Sequence, residues 1–258
     1  MPDCVSVSPP GLELALVPLP APLLFGAPLG SVRLRAQLQS PTRLRLQFTD
    51  AREPRFEVPE EVVGPFPGTA APEPQFRLKF QENPFGVQVL RASTGRVIFD
   101  TTVGPLLLSD QFLSLSSRLS CSALYSPGQR RLRLRPGWHR WGLYSSQGQH
   151  GENAEEGQNL AGVHPFLLCL EDTSGASLGI FLLNSNAMEL SVSPAPLVTF
   201  STIGGSLDLF LLLGNSPQQV LQEHAKFGGE IREFWGRNSG TLGVKFKNFG
   251  REIRKFQG

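Results

Sequence analysis

From Val32 to Leu38 apolar and polar side chains alternate without a break, and after Ser40-Pro41 the alternation resumes from Leu44 to Phe48. A period of two puts successive side chains on opposite faces of an extended chain, so the two segments read as half-buried strands joined as a hairpin. Phe76–Phe80 repeats the pattern. Further short strands are predicted at Phe85–Leu90, Gly95–Asp100, Phe112–Leu115, Leu132–Arg135, Pro165–Leu170, Gly179–Leu183, Glu189–Val192, Val198–Phe200 and Leu207–Leu213. The one convincing helix start is at Ser216. A serine cap is followed by Pro217 at the first helical position, with Val220, Leu221 and Ala225 as its apolar face. Many short strands separated by turn residues mean a sandwich or barrel of antiparallel sheets.

The flanks differ from this body. Residues 1–30 hold seven prolines and read as a poorly ordered arm or an extended edge segment. Residues 31–225 form the β domain, interrupted by a long loop from Pro54 to Pro74 that holds six prolines. The tail 226–258 repeats F-G-x-E-I-R-x-F-x-G at Phe227 and again at Phe249, with eight basic and three acidic side chains. Few aliphatic residues offset its ordering entropy, so it is expected to be disordered and unrelated to the sandwich.

Composition narrows the partners. Charged residues are 18% of the 258 and the formal net charge is +2, so no strong pull toward nucleic acid or an anionic membrane is expected. The apolar stretch Leu12–Leu29 is broken by four prolines, which excludes a continuous helix; neither a signal peptide nor a membrane span is expected. Cys4, Cys121 and Cys169 are an odd number at wide spacing, without C-x-x-C. They read as buried or incidental thiols rather than a metal site or a disulfide framework.

Candidate chemistry is sparse. Gly175-Ala176-Ser177-Leu178-Gly179 matches G-x-S-x-G, but a turn precedes the serine and a strand follows it. A nucleophile elbow needs the reverse order, so the motif reads as a hairpin tip. Glu171-Asp172 and Glu155-Glu156 are adjacent pairs with a solvated surface role expected. His139, His150, His164 and His224 lie far apart along the chain without metal-ligand spacing, and His164 before Pro165 reads as a structural histidine. Arg131, Arg133 and Arg135 alternate with leucines, as on the wet face of a strand. No cofactor is expected.

Three stretches carry a resemblance. The first is Asn83-Pro84-Phe85-Gly86-Val87-Gln88-Val89, continuing from Thr94 to Val103 and on to Asp110-Gln111-Phe112-Leu113. The second is Gly162-Val163-His164-Pro165-Phe166 with Leu170-Glu171-Asp172. The third runs from Gly179 to Asn184-Ser185-Asn186-Ala187-Met188, then Thr202-Ile203-Gly204-Gly205 and Leu207-Asp208. Together, from about Val32 to His224, they resemble the N-terminal region of the α-glucosidases of glycoside hydrolase family 31.

The resemblance implies a galactose-mutarotase-like antiparallel β-sandwich that packs on a following catalytic barrel. It implies hydrolysis of α-1,4-glucosidic bonds in maltose- or glycogen-type substrates, with both catalytic aspartates on the barrel, in proteins of the lysosome or secretory pathway. It also implies that one sandwich loop reaches the sugar with an aspartate. Trp138 and Arg140 match the family's W-x-R, and counting from them that aspartate falls at Gln147, whose neutral amide cannot supply the charge. An insertion-like run, Gly148–Gly157, follows. The nucleophile motif W-x-D-M-N-E does not occur, and the chain leaves the family pattern near Ala225. The expectation is a truncated, non-catalytic domain whose partner is a barrel. The alternative is a carbohydrate-binding or assembly module that takes α-glucan weakly through Trp138, Arg140, Gln147 and His164, with Trp141 and Tyr144 available as further aromatic surface.

Overall fold

The computed structural model describes residues 11–19, 26–59, 73–121, 123–125, 138–144, 163–194 and 196–225. Its strands in chain order are β1 (Leu12–Leu16), β2 (Val32–Ser40), β3 (Arg43–Asp50), β4 (Phe76–Gln81), β5 (Gly86–Arg91), β6 (Val97–Asp100), β7 (Leu107–Leu108) and β8 (Leu113–Leu119). They continue as β9 (Ala123–Tyr125), β10 (His139–Leu143), β11 (Phe166–Leu170), β12 (Ser177–Leu182), β13 (Met188–Val192), β14 (Leu197–Thr202) and β15 (Leu207–Gly214). A short helix, α1, spans residues 217–225.

The strands form two antiparallel sheets. One has the order β1-β2-β3-β15-β12-β11-β9, the other β10-β13-β14-β8-β6-β5-β4 with β7 beside β8. The hairpin foreseen at Val32–Phe48 is β2 and β3, paired from Val32 opposite Asp50 to Leu38 opposite Leu44. Alternation does what the period requires: Val32, Leu34, Ala36 and Leu38 are buried, while Arg33, Arg35 and Gln37 are half-exposed. The buried faces of both sheets meet in one core whose largest members include Phe48, Phe99 and Phe200. The chain is thus an all-β antiparallel sandwich. Within the proline-rich arm, residues 12–16 take the extended alternative and pair with β2 at the sheet edge. The strand expected at Leu132–Arg135 and the tail 226–258 lie outside the described residues.

Strand β15 is buried along its whole length. Leu207, Leu209, Leu211 and Leu213 face the main core. Phe210 and Leu212 point the other way, into a second cluster with Phe166, Phe181 and Val220. Val220 belongs to α1, so the helix covers the outer face of the first sheet. Each large apolar side chain buried there contributes roughly 1.5–3 kcal/mol. The helix starts as the sequence implies: the Gln219 amide donates to Ser216 Oγ at 3.3 Å, and the Asn215 amide to Gln219 Oε1 at 2.8 Å.

Two expectations are corrected. Cys121 and Cys169 form a disulfide, with Cα atoms 5.3 Å apart. The pairing of β9 with β11 places Cys169 opposite Leu124 and so brings the chain at Cys121 alongside it, although 48 residues separate the two in sequence. Glu171 is not solvated but 2% exposed. It sits where the first sheet faces β5 of the second, and there it meets Arg91. Its neighbour Asp172 is half-exposed, with Arg96 at 3.7 Å.

Candidate functional site

The residues that carry the resemblance form the sandwich's own joints. Asn184 Nδ2 donates to the carbonyls of Gly204 and Ser206, both at 2.9 Å, and Asn184 Oδ1 accepts from the Asn186 amide at 2.7 Å. This ties the β12–β13 loop to the β14–β15 loop. Gly205 has φ +73°, and a Cβ there would stand 2.8 Å from Asn186 Nδ2, so both backbone and space call for glycine. Thr101 Oγ1 accepts from the Val87 amide at 2.7 Å and donates to the Val87 carbonyl. The G-x-S-x-G serine is likewise structural: Ser177 is fully buried and its Oγ donates to the Gly175 carbonyl at 2.8 Å.

Buried carboxylates are held by arginines. Arg91 Nη2 reaches Glu171 Oε1 at 2.5 Å and Arg91 Nε reaches Oε2 at 3.2 Å, while the same Nη2 also donates to the Ser177 and Gly214 carbonyls. Arg45 makes a second bidentate pair with Asp208, at 2.8 and 2.7 Å, and lies over the Phe210 ring. Burial pushes the Asp208 carboxyl above the usual carboxylate range, against the pull of Arg45.

The residues singled out for sugar contact fall in two places. Trp138, Arg140 and Tyr144 lie on or beside β10, the edge strand of the second sheet. Inward positions Trp141 and Leu143 are core, with the His139 ring stacked on Trp141 at 5.3 Å. Positions 138, 140 and 144 are exposed: Trp138 81% and Tyr144 53%, with Arg140 between them paired to Glu189 at 2.6 Å. Of the three aromatic residues weighed together, two are therefore on the surface and Trp141 is not. Gln147 lies outside the described residues.

His164 is elsewhere, in front of β11, and it has a partner that its sequence position did not suggest. Its Nε2 is 2.9 Å from Nε2 of His224, on α1. Sixty residues apart along the chain, the two histidines meet because α1 lies back across β11 and β12. The His224 ring stacks on Phe166 at 4.2 Å, and Phe181 stands 5.3 Å from it. Desolvation among these rings lowers the pKa of both histidines; His224, also repelled by His164 and Arg43, is lowered to about 4. Among the described residues no group of three or more His, Cys, Asp or Glu could hold a metal, and no helix is long and apolar enough to cross a membrane.

No family model matches the chain. It is 40% identical to intestinal sucrase-isomaltase of Homo sapiens over 222 residues, 85% of this chain and 12% of the relative. It is 36% identical to lysosomal alpha-glucosidase of Mus musculus over 220 residues, 84% of this chain and 22% of the relative. Among solved structures, the glucosidase II alpha subunit matches with a TM-score of 0.59 at 13% identity, covering 76% of this chain and 30% of that one. A Flavobacterium johnsoniae GH31 dextranase complexed with glucose matches with a TM-score of 0.57 at 17% identity, covering 87% and 28%. The chain spans about an eighth to a fifth of the length of these curated relatives. On these matches and on the sandwich that carries them, the chain belongs to glycoside hydrolase family 31, of whose α-glucosidases it spans a part.

Proposed function

We propose that these 258 residues act as a non-catalytic sandwich domain of an α-glucosidase-type glycoside hydrolase and hydrolyse no glucoside by themselves. The observation that carries this reading is where the carboxylates go. Retaining hydrolysis needs two carboxyl groups about 5–5.5 Å apart across a sugar. The buried carboxylates Glu171 and Asp208 are instead each matched to an arginine and hold strands together. The absence of W-x-D-M-N-E from the sequence agrees. The domain's partner on this reading is a catalytic barrel. The Cys121–Cys169 disulfide supports folding in an oxidising compartment, where such bonds persist. The test is turnover of an aryl α-glucoside and of maltose by the purified chain. No turnover above a blank is expected, and hydrolysis that co-purifies with the chain overturns the proposal.

One observation favours a second reading, a carbohydrate-binding module. Trp138 is 81% exposed beside Arg140 on an edge strand, an aromatic face of the kind that stacks on sugar rings. The residue boundaries 31–225 for the domain and 226–258 for a separate tail belong to the same proposal. Titration with maltose and longer α-glucans distinguishes the readings, because a scaffold domain shows no saturable binding.

A further inference from the structure

We infer that His164 and His224 form a two-histidine site for a divalent transition-metal ion of the zinc, nickel and copper class, which pins α1 to the first sheet. The two rings come from elements 60 residues apart, and their Nε2 atoms are brought to 2.9 Å. As a plain hydrogen bond this contact needs opposite tautomers, one ring donating through Nε2 and the other accepting. As ligands both rings need the tautomer that carries its proton on Nδ1, which leaves each Nε2 lone pair for the ion. Metal–nitrogen bonds of about 2.0–2.1 Å at a tetrahedral angle set the two nitrogens about 3.3 Å apart. The rings would separate by only about 0.4 Å.

The surroundings fit a ligand pair rather than a chance contact. Phe166 stacks on the His224 ring within 18° of parallel, and Phe181 stands 5.6 Å from His164, so both imidazoles are aimed by packing. His164 is exposed, so the pair is reachable from solvent. Glu223, next to His224, is held by Arg43 at 3.5 Å. Among the described residues the site thus offers two protein ligands. Imidazole nitrogen selects copper, nickel and zinc over the hard cations calcium and magnesium. The consequence is local: His224 belongs to the helix whose Val220 packs with Phe166, Phe181, Phe210 and Leu212, so an ion shared with His164 fastens that cover.

The full 258-residue chain, stripped with a chelator, is titrated with zinc chloride and separately with nickel chloride. One saturable ion per chain at this site is expected. The melting temperature should rise by roughly 5–10 °C once free metal is about a hundredfold above the dissociation constant. Magnesium chloride should give no rise. His164→Gln and His224→Gln should each lose the rise and bind zinc at least about tenfold more weakly. Should either variant fail to fold, copper bound to the unmodified chain gives the second readout, a paramagnetic resonance spectrum with splitting from two imidazole nitrogens. Unchanged zinc affinity in both variants, which would put the ion on His139 or His150, overturns the inference. So does the lack of any thermal shift, or a copper spectrum without the two-nitrogen pattern.

Discussion

Arg91 at the end of β5 and Glu171 just past β11 bind across the sandwich, so one bidentate pair bolts the second sheet to the first. Both side chains are nearly dry, at 5% and 1% exposure. Removing one partner strands the other charge, so Glu171→Gln is expected to cost about 3–5 kcal/mol in urea denaturation. Replacing both, Arg91→Met with Glu171→Leu, should cost less than the single change, since no orphaned charge remains. A single-variant cost near zero would show that the sheets are joined by apolar packing alone.

The disulfide predicts a thiol count. Unfolded without reductant, the chain should show one reactive thiol, Cys4, and after reduction three. Cys121→Ala should lower stability by about 2–4 kcal/mol, in keeping with the long loop it closes. Three thiols without reductant would remove the bond from the account.

Gly179 lies in β12 directly beneath the helix. A Cβ there would come within 2.6 Å of Val220 Cγ1 and 3.0 Å of the Phe166 ring. Gly179→Ala is therefore expected to destabilise by about 1–3 kcal/mol through overpacking. Adding Val220→Ala should recover part of that loss, because it vacates the space the new methyl needs. Wild-type stability in the single variant would mean that α1 does not press on this face.

Trp138 sits in water, so Trp138→Ala should leave stability within about 0.5 kcal/mol. If β10 carries a sugar face, the same change abolishes the response of intrinsic fluorescence to maltose or a longer α-glucan. Binding that survives the substitution moves the sugar elsewhere.

Strands with one wet face were legible because period-two alternation survives in them, as in Val32–Leu38 and Leu44–Phe48. The run at Leu207–Leu213 was also legible, although its second buried face under α1 was not, since a doubly covered strand carries no alternation to read. β9 has three residues and β7 two, too few for any period to show. Long-range pairs left no local trace. Glu171 looks like any polar residue at a strand end, and its partner lies 80 positions earlier. Cys121 and Cys169 were obscured by the third cysteine, and His224 by its place in a polar helical segment. The candidates for sugar contact came only from the family likeness, and the structure adds that Trp138 and Trp141 differ in burial through strand phase.

The outer margins of the two sheets bear on how the protein behaves in a crowded solution. An unpaired strand edge is a template for another chain, and long flat ones seed aggregates. Here β1 stops at Leu16, two residues before Pro18, and Glu13 on it pairs with Arg35. β9, at the other end of that sheet, is three residues long. β4 presents Arg77 and Lys79, and β10 presents Arg140. A proline breaks the ladder by lacking a donor, and a cation makes a second copy's approach costly. Pro18 and the basic residues on β4 and β10, unremarkable as chemistry, are thus expected to hinder edge-to-edge pairing of a sandwich whose core is rich in leucine and phenylalanine.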